Sequence, residues 1–400
     1  MVIPPIAALE IGTTRTVALI GEIDDAQRIA ITGRGVYPST GVRKGQVIDL
    51  ELAKVGVEMA VRQAEEASEV NVGQVLLAVS GAHIEAVVNR GAIPVRARDH
   101  VVSREDVEEV LDIAKTVNLP PERDTIHTIS QCFTLDGQSG IVKPDGMQGV
   151  QLALDMLVIH AMRNRLDNAI KVVESAPLQV QDVAFGGLCA ALAVLTPEQK
   201  RNGVAIIDLG GGTTSFLAYA GNVMAAAGSL GVGGDHVTND LALAFTIPIA
   251  RAEDLKRQHG SALVGVTPGL KRITLPQEVG FSERSISLKA LHTVINARVE
   301  ETLRLVRTAL HEGGLLPHLG AGVVLTGGGA YLPDITDLAQ RVFGLPCALG
   351  SPVNVGGLRE ENDAASYATA AGLVLYGFRT YQESGIFTPL REWLKGVFKR

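Results

Sequence analysis

The residues best equipped for chemistry sit at the end of a short apolar run. Val204-Ala-Ile-Ile207 reads as a buried strand that delivers Asp208 into Gly210, Gly211 and Gly212, followed by Thr213, Thr214 and Ser215. Consecutive glycines let the backbone turn sharply and bring its N–H groups up to an anion, because no Cβ stands in the way. The hydroxyls add donors, and Asp208 is placed to meet a metal ion on that anion. Hairpins also use such glycines, so the turn needs a second half to read as a phosphate clamp. That half lies near the N-terminus. Ile6-Ala-Ala-Leu-Glu-Ile-Gly-Thr-Thr14 repeats the order: strand, acid (Glu10), Gly12, then the hydroxyls of Thr13 and Thr14 before a returning strand. Two distant copies point to related subdomains that face each other across a phosphate. A third strand-then-glycine turn, Val323-Val-Leu-Thr-Gly-Gly-Gly329, has no acid, and Gly327, Gly328 and Gly329 suit a flat neutral partner such as a nucleoside.

These turns need elements to hold them. A chain of 400 residues is long for one core and implies two or more domains. Hydrophobic content of 46% with 20% charged residues fits a soluble globular protein, and a net charge of −7 argues against non-specific nucleic-acid binding. Cys132, Cys189 and Cys347 lack metal-ligand spacing and read as reduced, hence cytosolic. Neither a signal peptide nor a bilayer-spanning apolar run is expected. Ile29–Val36 and Val75–Val79 read as strands, Gly41–Asp49 as a loop, and 49–67 as a helix with Leu52, Val55, Met59 and Arg62 on one face. Between Ala82 and Ala161 the character changes. Strands at Gly91–Arg96 and Gln151–His160 flank a helix at 103–118 with a Ser103/Asp106 capping box, an inserted α+β unit. Arg163–Ala176 is a helix with Ile170, Val172 and Val173 inward. The helices Gly186–Leu195 and Asp363–Leu375 are lined with Ala and Gly, which suits either a hinge or ordinary close packing. Leu291, Val294, Ile295, Val299, Leu303, Val306 and Leu310 mark a long amphipathic helix, and Arg251–Arg257 lies in a polar one.

The tail is separable. After a polar linker at 381–385, Thr388 can cap a helix with Pro389 in its first turn. Phe387, Leu390, Trp393, Leu394, Val397 and Phe398 then share one face, and Arg391, Lys395, Lys399 and Arg400 the other. A basic amphipathic helix holding the only Trp reads as an in-plane anchor on an anionic membrane. The plainer alternative is a terminal helix that folds back on the body.

Two acid–glycine–hydroxyl turns, an acid-free glycine turn and two small-residue helices resemble the actin/Hsp70/sugar-kinase superfamily. Leu9-Glu-Ile-Gly-Thr13, Ser80-Gly-Ala-His83, Asp240-Leu-Ala-Leu-Ala-Phe245, His259-Gly-Ser-Ala-Leu263, Val324-Leu-Thr-Gly-Gly328, Gln340-Arg-Val-Phe343 and the basic tail narrow it: the whole chain resembles the FtsA family of bacterial cell-division proteins. The resemblance implies an α/β, actin-like two-lobed ATPase fold with a family-specific inserted α+β subdomain and a C-terminal amphipathic helix. Its division would be 1–81, 162–201 and 352–380 (subdomain 1A), 82–161 (1C), 202–232 and 306–351 (2A), 233–305 (2B), linker 381–385 and membrane helix 386–400. It implies ATP and Mg²⁺ in the cleft, with Glu10 and Asp208 meeting the metal through water. Gly12, Thr13, Thr14 and Gly210–Thr213 would hold phosphates. Gly234, just before a helix at Val237–Phe245, would favour a phosphate, Glu253 and Lys256 would line ribose and adenine, and Gly327–Gly329 would wall the adenosine. Arg284, Arg298 and Glu301 would meet the C-terminal tail of the tubulin-like FtsZ, or else be solvated charges. Self-association into filaments, and further division proteins on 1C, are implied as well. Ser215 stands where many relatives carry Asp, and Arg15 and Thr16 where some ATPases place a phosphate-touching Lys. With no identifiable base, the resemblance implies slow hydrolysis at most. A pilus-assembly actin homologue, a small-molecule kinase and an Hsp70-like ATPase are the alternatives.

Overall fold

Both glycine-turn strands are apolar along their length because they lie at the centre of sheets covered on both faces. A computed structural model of the chain describes residues 3–24, 28–265, 271–275, 283–358 and 362–384. In the first lobe the sheet runs Gln179–Phe185, Gln74–Val79, Ile6–Ile11, Arg15–Ile23, Ile29–Pro38. Ile6–Ile11 is antiparallel to Arg15–Ile23 and parallel to Gln74–Val79. The second lobe repeats this plan as Cys347–Leu349, Val323–Thr326, Val204–Leu209, Thr214–Ala220, Val223–Leu230, with the same pairing senses about Val204–Leu209. Glu10 and Asp208 are each the last residue but one of the central strand.

Helix Leu50–Ser68 starts at Asp49, whose carboxylate accepts from Leu52 N–H. Its buried face is Ala53, Gly56, Val57, Ala60, Val61 and Ala64. Leu52 and Val55 are 49% and 45% exposed, so the face expected from the larger residues is the outer one. The small residues win because the helix lies almost on the strand backbone: a Cβ on Gly35 would stand 1.7 Å from Ala60 O. Helix Gly186–Val194 is wholly buried and crosses helix Ala368–Ser384 in the same manner, with Gly372 against the Cys189 carbonyl. The second helix begins with a 3₁₀ turn at Ala364–Tyr367 and runs to Ser384. Residues 381–384 are thus helical where a linker was expected, since no Gly or Pro interrupts them and Thr380 Oγ1 bonds Tyr376 O. The expected membrane helix, 386–400, lies outside the described residues.

The inserted unit is an antiparallel sheet, Ile84–Pro94, Gln151–Met162, Arg123–Leu135, Gln138–Ile141, backed by helix Arg104–Lys115. Val107, Val110, Leu111, Leu154 and Met156 belong to its own core, and Ser103 and Asp106 form the capping box. Its first strand starts at Ile84, before Gly91; Glu85, Val87 and Val88 are exposed there, so no buried apolar run marks that part. The unit also touches the second lobe. Gln131 Nε2 donates to Met224 O at 2.7 Å, and just ahead of the unit Gly81 N–H donates to Ser229 Oγ at 3.1 Å. The outer second lobe carries helices Gly234–Phe245, Ile249–His259 and Leu288–Glu312, the last burying Leu291, Ile295, Val299, Leu303, Val306 and Leu310 as their spacing predicts.

Candidate nucleotide site

Each central strand ends in the same tight turn: Gly12 N–H donates to Arg15 O at 3.0 Å, and Gly210 N–H to Thr213 O at 2.9 Å. The turns meet across the lobes. A Cβ on Gly211 would lie 2.0 Å from Thr14 Oγ1, and one on Gly212 2.5 Å from Thr13 Oγ1. Glycine is therefore required by the approach of the opposite lobe as well as by the bend. Below the turns, burial, and then the proximity of Asp208, push the Glu10 carboxyl up to about 8 against the pull of Arg15. Burial also raises Asp208, whose Oδ2 accepts from Thr369 Oγ1 at 2.8 Å. Glu10 Oε2 is buried without a hydrogen-bond partner. Two facing carboxyls with an orphaned oxygen fit a divalent cation. Among the described residues no group of three or more His, Cys, Asp or Glu could hold one alone. An ion such as Mg²⁺ would thus take the rest of its shell from phosphates and water.

The acid-free turn closes the floor. Gly327 has φ 84°, and its missing Cβ leaves room for Asp208 Oδ1, which such an atom would meet at 2.2 Å. Gly329 lies against Leu209 O, whereas Gly328 is open, its nearest neighbour being Ser366 Cβ at 3.9 Å. Gly234 is the first residue of its helix, which starts earlier than expected. Its N–H and that of Asp235 donate to the carbonyls of Gly210 and Gly211 at 3.0 and 2.8 Å. This helix end therefore braces the second turn rather than presenting free donors. Lys256 Nζ lies 2.6 Å from Glu253 Oε2 and donates to Gly234 O and Thr238 Oγ1 at 3.1 and 2.8 Å. Burial would raise the Glu253 carboxyl, but hydrogen bonds from Lys256 and Thr238 outweigh it and hold the group below the usual range.

The structure thus brings Glu10, Gly12–Thr14, Asp208, Gly210–Thr213, Gly234, Glu253, Lys256 and Gly327–Gly329 together where the two lobes meet. Sequence reasoning missed the partners from distant segments. Thr369 on Asp208 is one. Asp363, Ser366 and Tyr367 on Arg15 are others: Arg15 donates to Ser366 O at 2.7 Å, lies 3.4 Å from Asp363 and stacks 4.5 Å above the Tyr367 ring. Ser215 shares a hydrogen bond of 3.0 Å with Ser229, the residue that receives the Gly81 N–H. Cavities of about 280 Å³ (outside Ala297–Thr308) and about 600 Å³ (Pro4, Val70–Gln74, Tyr381) lie away from these turns.

The family model for the cell division protein FtsA matches residues 205–372, and that for the SHS2 domain inserted in FTSA matches residues 81–160. The cell division protein FtsA of Escherichia coli (strain K12) is 34% identical over 403 residues, spanning 98% of this chain and 96% of its own. The chain belongs to the FtsA family. The actin-like architecture agrees with solved structures. A PilM-PilN type IV pilus biogenesis complex matches with TM-score 0.62 at 17% identity, over 93% of this chain and 98% of its own. MreB5 of Spiroplasma citri bound to ADP matches with TM-score 0.55 at 16% identity, over 95% and 99%. Among the described residues no helix is long and apolar enough to cross a membrane.

In this FtsA-family chain Arg284, Arg298 and Glu301 stand apart from the cleft, around the far half of helix Gly234–Phe245. Arg298 forks onto both Asp240 oxygens at 2.6 and 3.2 Å and reaches Glu301 at 2.6 Å. Arg284 donates to the carbonyls of Phe245 and Thr246 at 3.2 and 3.4 Å. Leu243 and Ile249 lie exposed in the same region.

Proposed function

We propose that this chain binds ATP with Mg²⁺ between its lobes, assembles into actin-like filaments on the cytoplasmic face of the cell membrane, and anchors FtsZ filaments there at the division septum. The observation that carries the reading is the meeting of two phosphate turns, Gly211 against Thr14 and Gly212 against Thr13, in a member of the FtsA family. Glu10 and Asp208 would hold the metal, which when bound neutralises phosphate charge. Thr13, Thr14 and Thr213 would orient the phosphates, and Gly328 leaves a flat opening for the nucleoside. ATP would act by favouring one conformation, with slow turnover or none. Arg284, Arg298 and Glu301, beside exposed Leu243 and Ile249, suit an extended acidic-hydrophobic peptide such as the FtsZ tail. The basic amphipathic segment 386–400 would supply the membrane contact, and several copies in a filament would strengthen it. The inserted unit offers a surface for other division proteins.

Flotation with anionic liposomes in ATP tests the anchor: removal of 386–400 is expected to abolish binding, and equal binding by the truncated chain would end the idea. Arg298→Ala leaves Asp240 without its bidentate partner, with an expected cost of about 1 kcal/mol in stability. Because Arg298 is a strut as well as a surface charge, FtsZ pelleting onto those liposomes should fall further with Arg298→Glu, which repels both Asp240 and the acidic tail. Unchanged pelleting with both variants would remove this face from the proposed contact.

A further inference from the structure

The segment between Gly41 and Asp49 is not a plain loop. Val42–Arg43 pairs with Gln46–Val47 to make a small hairpin turned by Lys44 and Gly45. Both tip residues have positive φ, 51° and 69°, as in the tight turns that match strand twist. Glycine adopts this conformation freely, whereas a lysine there is unusual. The tip reaches both phosphate turns. Gly45 N–H donates to Thr13 Oγ1 at 3.0 Å, and a Cβ on Gly45 would lie 2.9 Å from Thr213 Cγ2. Lys44 Cα itself stands 2.9 Å from where a Cβ on Gly212 would be.

The cleft has an unmet charge requirement. The groups beneath the turns are the acids Glu10 and Asp208, which offer an anionic polyphosphate no positive charge. Arg15 is engaged by Asp363, the Ser366 carbonyl and the Tyr367 ring, and Lys256 by Glu253, Thr238 and Gly234. Lys44 is exposed and forms no ion pair among the described residues. Its charge is felt at the second turn. After burial, it is the next cause lowering the pKa of His236, whose Nδ1 accepts the Gly233 N–H there.

We propose that the hairpin tip is a third phosphate-binding element, in which the Lys44 ammonium contacts the terminal phosphate of a bound nucleoside triphosphate. The inference rests on the nucleotide reading above and specifies how the site would distinguish a triphosphate from a diphosphate. An ammonium is a compact point charge whose benefit depends on how much phosphate charge lies within reach. Since the tip bonds Thr13 in one lobe and packs on Gly212 and Thr213 in the other, a third phosphate held there would also tie the lobes together.

The test is equilibrium titration of the full chain with fluorescently labelled ATP and ADP in Mg²⁺, comparing the parent with Lys44→Asn and Lys44→Arg. Asparagine tolerates positive φ, so the charge is removed with little backbone strain. Lys44→Asn is expected to weaken ATP by about tenfold, the scale of one charge-assisted hydrogen bond, and ADP far less. Lys44→Arg should recover most of the difference. Without nucleotide, the variant should melt where the parent does. Equal affinities in parent and Lys44→Asn, or an equal loss of both nucleotides, would overturn the proposal and leave the nucleotide reading standing. A parent that binds neither nucleotide would remove both.

Discussion

Gly372→Ala is expected to destabilise the protein by about 3 kcal/mol, the upper range for overpacking a close contact. The added methyl would stand 1.7 Å from Cys189 O, 2.3 Å from its carbonyl carbon and 2.9 Å from its Cα. All three are backbone atoms, so no side chain can rotate away. The helix must move instead, and Gly186–Val194 is buried at every residue. Alanine's intrinsic helix preference, about 1 kcal/mol over glycine, offsets only part of this. The effect should reach the site, because Thr369, one turn earlier, holds Asp208. Gly73→Ala is the control: nothing lies within 4 Å of its Cβ position, and its φ is not positive. A thermal melt should therefore show a large fall for Gly372→Ala and almost none for Gly73→Ala. Matching midpoints would mean that the two helices do not cross so closely.

That crossing was legible in the sequence, since two runs of Ala and Gly have few other uses in a buried helix. The paired glycine turns were legible for a related reason: an acid, glycine and hydroxyls at the end of an apolar run repeat a constrained local geometry. Local composition misled where the decisive contact lay elsewhere. In Leu50–Ser68 the larger side chains suggested the buried face, but the nearness of Gly35 in a neighbouring strand selects Ala60 and Ala64. Residues 381–385 read as a linker, although 381–384 continue a helix whose preceding turns are packed. The partners of Asp208 and Arg15 come from Thr369, Asp363 and Ser366, far along the chain, and no spacing rule finds them. Lys44 escaped notice because its role depends on a positive φ that lysine rarely adopts.

Glu10→Gln should act in opposite directions with and without ligand. In the nucleotide-free protein, burial and Asp208 raise the Glu10 carboxyl from 4.5 to about 8. The folded state then keeps a proton that the unfolded chain releases. The resulting stability is fully present below about pH 4.5, declines as pH rises, and is lost above about pH 8. A displacement of that size corresponds to on the order of 5 kcal/mol. Glutamine cannot ionise, so the variant should equal the parent at pH 4 to 5 (about the unperturbed carboxyl range) and melt well above it at about pH 9. Asp208 is raised too and adds a loss of the same sign in both proteins, so it largely cancels from the comparison. Adding ATP with Mg²⁺ should reverse the order, because a nearby cation favours the charged carboxylate and makes the orphaned Glu10 Oε2 an asset. The parent should then gain more from ligand than Glu10→Gln does. If the variant and parent keep the same difference across pH, the Glu10 carboxyl is not held neutral in the empty cleft. If ligand stabilises them equally, that carboxyl has no part in holding the metal.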